Sequence, residues 1–145
     1  VVIVLAVRAV VIVVAAAAVI VVVVVPVVSC AVVVAAAASS AAALVVVVVV
    51  AVRCMALKQL SVSDVTENFH VYGMIWTEEK IDFTVDGEVF FTYQPADRSN
   101  DFWPFNKDQY LLLNVALGGS LGGDITPDFT QDQMEVDYVR VYQLQ

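Results

Sequence analysis

The segment KIDFTVDGEVFFTY, residues 80–93, constrains the fold more than any other part of the chain. Asp86-Gly87 stands between two runs rich in aromatic and β-branched residues, the strong signal for a two-residue hairpin with a type I′ turn. Pairing Val85 with Glu88 predicts Phe83 opposite Phe90 and Ile81 opposite Thr92 on one face. Thr84 then opposes Val89 and Asp82 opposes Phe91 on the other. The turn therefore sets the register.

Strand patterns lie on either side. FHVYGMIW, residues 69–76, puts Phe69, Val71 and Ile75 on one face and His70, Tyr72, Met74 and Trp76 on the other. Both faces are largely apolar or aromatic, which suits the interior of a sandwich better than an edge. Pro95 excludes a continued central strand, so 94–100 reads as a loop. Residues 110–117 form the next predicted strand, and 118–130 a connection rich in Gly, Pro and Asp. The last strand, 134–142, has Val139 and Val141 on one face and Val136, Tyr138 and Tyr142 on the other. No helical periodicity follows Lys58. The expected class is all-β, an antiparallel β-sandwich or jelly roll, built as one domain over 1–145.

Residues 1–57 are almost wholly Val and Ala. Three readings stand side by side. The stretch 9–28 is long enough for a membrane span or leader, but it lacks the basic, apolar and small-residue order of a signal peptide, and Val blocks favour strand over helix. A buried sheet is the second reading, although more than fifty residues without Gly, Asn, Asp or an aromatic offer almost no turn chemistry. In the third, the Val and Ala letters are placeholders for other side chains. Under that reading no catalytic residue is excluded from 1–57, and Cys30 and Cys54 carry no disulfide argument.

Charge narrows the partners. The chain has 145 residues, seven basic against fifteen acidic, and a formal net charge of −8. Such a balance repels phosphates and argues against nucleic acid; a neutral polymer or a cation fits it better. Every Asp and Glu lies at Asp64 or beyond.

Three segments together carry a resemblance: FHVYGMIWTEEKIDFTVDGEVFFTY, then WPFNKDQYLLLNVALGGSLGG, then MEVDYVRVYQ. Their order and spacing resemble the C-terminal half of a glycoside hydrolase family 16 domain of the laminarinase, or endo-β-1,3-glucanase, type, over roughly residues 68–143. The resemblance implies a curved β-sandwich jelly roll whose concave sheet forms an open cleft. It also implies a secreted, monomeric enzyme that cleaves internal β-1,3 or mixed β-1,3/1,4 linkages of β-glucan with retention, without an organic cofactor, and with no nucleic-acid or membrane partner. The family's catalytic pattern, E-x-D-x-E or E-x-D-x-x-E on one strand, belongs upstream of Phe69. No acidic residue is written before Asp64, and only Asp64 and Glu67 stand between there and Phe69. A retaining glycosidase needs two carboxylates about 5 Å apart, so either the motif is concealed under Val and Ala or the chain is a non-catalytic β-glucan-recognition module.

Substrate-binding candidates are Trp103, Asn114 and His70. The Trp103 indole offers an apolar platform to a pyranose ring, or locks its loop against Pro104. Asn114, inside LLLNVAL, needs a hydrogen-bond partner; the resemblance suggests a cleft-side position, with an internal bond as the alternative. His70 is the single histidine, able to donate to a sugar or a carboxylate, or simply structural. Phe102 and Phe105 read as packing residues, and Glu78, Glu79, Glu88 and Glu135 as solvated carboxylates. Leu121 stands where laminarinases often carry an aromatic between the two Gly pairs. Asp137 interrupts an apolar strand and implies an outward position or a cation; by resemblance it is one ligand of a structural Ca2+, which takes six to eight oxygens.

Overall fold

A computed structural model of the chain describes residues 3–12, 18–26, 31–39, 42–51, 54–62, 68–117, 124–125, 127, 130 and 133–143. They form β1 (Ile3–Ile12), β2 (Ala18–Pro26), β3 (Ala31–Ser39), β4 (Ala42–Ala51), β5 (Cys54–Ser61), β6 (His70–Trp76), β7 (Ile81–Val85), β8 (Glu88–Tyr93), β9 (Gln109–Leu117) and β10 (Gln133–Gln143), with one 3-10 turn at Pro104–Asn106. Two antiparallel five-stranded sheets result, ordered β10-β1-β6-β7-β8 and β5-β4-β3-β2-β9. The architecture is the β-sandwich expected from the strand spacing.

The described residues of 9–28 are the end of β1 and all of β2, as β-branched side chains favour. Among the described residues no helix is long and apolar enough to cross a membrane. Leu121, most of the 118–130 connection and Cys30 lie outside the described residues.

The hairpin turn forms as predicted. Asp86 and Gly87 both have positive φ, 52° and 87°, the signature of type I′. A Cβ on Gly87 would meet nothing within 4 Å, so backbone conformation, not space, asks for glycine there. Beyond the turn the predicted register fails. Val85 faces Glu88 and Thr84 faces Val89, but a shift between Phe83 and Thr84 leaves Phe90 as an extra residue. Phe83 therefore faces Phe91, Asp82 faces Thr92 and Ile81 faces Tyr93. The cause is a β-bulge, which inserts one unpaired residue into one strand. Its reward is visible: Phe83 and Phe91 stack at 5.7 Å and 18°, and Thr92 Oγ1 donates to Asp82 Oδ1 at 2.6 Å.

β6 is interior, between β1 and β7. Tyr72, Met74, Ile81, Phe83 and Val85 are buried together on its inner face and that of β7. Phe83 and Ile81 are each 1% exposed, worth about 1.5–3 kcal/mol apiece in transfer free energy. β5 touches β8 across the sandwich. β9 is the edge of its sheet farthest from β5.

Candidate functional site

That strand order sets the path of residues 94–108, which join β8 to β9. They run from the edge strand of one sheet to an edge strand of the other. Fifteen extended residues reach about 50 Å, so there is slack to fold. The slack is taken up by aromatic packing. Trp103, 4% exposed, stacks on Tyr93 at 6.0 Å and 11° and meets Phe105 edge-on at 5.2 Å. Tyr93 reaches this cluster because the bulge advances β8 by one residue, and its hydroxyl donates to the Phe102 carbonyl at 2.7 Å. Phe105 closes the cluster from the other side, edge-on to Tyr93 and to Trp76. The Phe102 and Trp103 amides both donate to the Ser99 carbonyl, at 3.0 and 2.7 Å.

Opposite this loop is the β6–β7 turn. Thr77 organises it: the hydroxyl accepts from the Lys80 and Glu79 amides at 3.0 and 3.2 Å and donates to the Lys80 carbonyl at 3.1 Å. Arg98 links the two walls. Its guanidinium lies 4.5 Å from the Trp103 ring centroid and donates to the Glu79 carbonyl. Between them opens a cleft of about 1040 Å³, lined by Trp76, Glu78, Glu79, Gln94, Trp103 and Asn106 among others.

The four predicted site residues do not gather there. Trp103 lines the cleft, but as a buried back wall with its ring against Tyr93. His70 is at the other end of β6, about 20 Å from Trp76 at 3.3 Å per residue. There its Nδ1–H donates to Asp86 Oδ2 at 2.7 Å, while the Val71 amide donates to Asp86 Oδ1 at 2.8 Å. The Asp86 amide in turn donates to the Val71 carbonyl at 2.8 Å. Burial alone pushes the Asp86 carboxyl up, yet the bonds from His70 and Val71 hold it below the ordinary carboxylate value. Sequence reasoning missed this clamp.

Asn114 pairs with Val21 on β2, in a row that continues through Ala35 and Val46 to Gln59. Residues in one row share a sheet face. The neighbouring row, Leu113–Val22–Val34–Val47–Lys58, has exposed ends at Leu113 and Lys58.

Asp137 is exposed and has no counterpart in the β1 ladder, where Arg8 faces Tyr138 and Ala9 faces Val136. It sits at a second bulge, which explains a carboxylate inside an apolar strand. Among the described residues no three Asp, Glu, His or Cys side chains gather to hold a metal ion.

Comparison with known proteins decides the family. The model for glycosyl hydrolases family 16 matches residues 53–140, more than half of the chain. The chain belongs to that family. A beta-glucanase of Rhodothermus marinus is 36% identical over 91 residues, covering 57% of this chain and 32% of the relative. The glucan endo-1,3-beta-glucosidase A1 of Niallia circulans is 38% identical over 86 residues, covering 54% and 13%. Among solved structures, SCLam, a non-specific endo-beta-1,3(4)-glucanase of family GH16, superposes with a TM-score of 0.78 at 26% identity over 97% of this chain and 57% of its own. The fold is thus the family's jelly roll. The chain's match spans a third or less of these two curated relatives.

Proposed function

We propose that the chain is part of a retaining endo-glucanase that cleaves β-1,3 or mixed β-1,3/1,4 glucan outside the cell. The observation that carries the proposal is the family match, joined to 36% and 38% identity with two glucan hydrolases. Retention requires a nucleophilic carboxylate and an acid/base carboxylate about 5 Å apart on one open face. Alternate residues of a strand meet that need. In the sheet β5-β4-β3-β2-β9 the strands β2, β3 and β4 are interior and offer such a face. The missing acids belong on this face of β2–β4, beneath the Val and Ala letters. Peptide-mass mapping of residues 1–57 tests that assignment: fragments matching the written composition would remove it.

Activity is tested by reducing-end release from laminarin and from a mixed-linkage glucan, with the anomer of the first product read by NMR. Release of β-anomeric products from both is expected. A second reading, a non-catalytic β-glucan-recognition module, is favoured by one observation, the lack of any written acid before Asp64. Full-strength glucan binding without products would select it and sink the hydrolase.

A further inference from the structure

The cleft at the end of the sandwich is a different place from the open sheet face. Its lining comes from the end of β6, the β6–β7 turn and residues 94–108, while the open face belongs to β2–β5 and β9. We propose that this end cleft is a second glucan-binding site, taking a short neutral segment of the polymer.

The lining selects that ligand class. A sugar ring presents apolar CH faces and a rim of hydroxyls that both donate and accept, so its site needs an aromatic surface and mixed polar groups. Trp76 is half-buried at the cleft wall, whereas Trp103 is committed to Tyr93 and Arg98. Trp76 is therefore the platform and Trp103 its support. The exposed amides of Gln94 and Asn106 supply a donor and an acceptor each. Charge is mixed around them, with both signs present and one acid in excess: Glu78, Glu79 and Asp108 against Arg98 and Lys107. Such a field singles out neither a polyanion nor a cation. The volume, about 1040 Å³, is at the upper end for small-molecule sites, which run to roughly 1,000 Å³. Asp108 leads directly into β9, whose exposed Leu113 is about 17 Å further on at 3.3 Å per residue. One polymer chain can therefore touch both places.

The choice of glucan rests on the proposed function; the existence of the site does not. Both tryptophans of the chain, Trp76 and Trp103, line this cleft, so the two indole Nε1–H resonances and the tryptophan emission report it directly. Titration with laminari-oligosaccharides is expected to shift the Trp76 resonance saturably. The double variant Gln94→Ala/Asn106→Ala, changed only at exposed positions, should weaken this response about tenfold, with an unaltered Tm as the check on folding. In Trp76→Phe the Trp103 indole remains as reporter, and its shift should saturate only at higher oligosaccharide concentration. An unchanged response in the double variant overturns the proposal. So does hydrolysis of laminarin with neither indole shifting, an outcome that leaves the glucanase reading intact. Saturable indole shifts without any product support the second site and count against the hydrolase.

Discussion

The two ends of β6 put similar residues to opposite uses. At the His70 end an aromatic ring, a carboxylate and a backbone amide close on one another, and the hairpin turn is tied to the strand beside it. At the Trp76 end aromatic rings, carboxylates and amides line an open volume. Asp86 shows the lesson well. Its side chain is 51% exposed, yet both oxygens are bonded, so exposure by itself marks no functional group. What separates the ends is whether polar atoms face each other or face space.

Substitutions can break this contrast. The largest effect is expected from Trp103→Ala, which removes a buried indole and should cost about 3–5 kcal/mol by denaturant unfolding. A loss under about 1 kcal/mol would mean that the back wall of the cleft is not structural. Asp86→Ala deletes two charge-assisted hydrogen bonds at a half-exposed site and should cost about 1–2 kcal/mol, with the Trp76 resonance unmoved. Movement of that resonance would join ends that the structure keeps apart.

Acid gives a third test. Asp86 and Asp82 both titrate below the ordinary carboxylate value. Burial pushes the Asp82 carboxyl up, but bonds from Lys80 and Thr92 more than offset this. Groups lowered on folding contribute stability above their unfolded value, about 3.9 for Asp, and lose it as pH falls through the folded value. Tm should therefore drop below about pH 4, and by less in Asp86→Asn. An equal drop in both proteins would remove the clamp from the account. The smallest effect belongs to Arg98→Ala, about 0.5 kcal/mol or less at an exposed site. Its readout is a changed emission of Trp103 as the guanidinium leaves the ring.

The sequence made some of this legible and hid the rest for physical reasons. Asp-Gly announces a turn with two positive φ angles because few other pairs tolerate them. Phe90 and Phe91 announce nothing about the bulge, since either can fill the place opposite Phe83. His70 and Asp86 are sixteen residues apart and share no local pattern, so the clamp emerges only when β6 pairs with β7. Trp103 was visible as an indole beside a proline, but its partner depends on how 94–108 folds back onto Tyr93. Residues 1–57 carry a strand preference in their Val runs and no alternation of apolar with polar. Strand structure could be suspected there, and neither the number of strands nor one face could be assigned.

The crossing segment 94–108 has a last consequence. One stretch of chain both packs on the ends of β6 and β8 and forms a wall of the cleft, so reshaping that wall loosens this packing. Trp103, Phe105 and Tyr93 cannot be traded freely for a new ligand without weakening the hold of this segment on β6 and β8. The opposite wall is under no such bond. Glu78 and Glu79 are exposed on a turn held through Thr77 and through the Glu79 carbonyl by Arg98, not through their own side chains, and substitutions there alter the lining at little structural expense. Evolution or an engineer seeking a new preference at this end of the molecule has one permissive bank and one forbidding one.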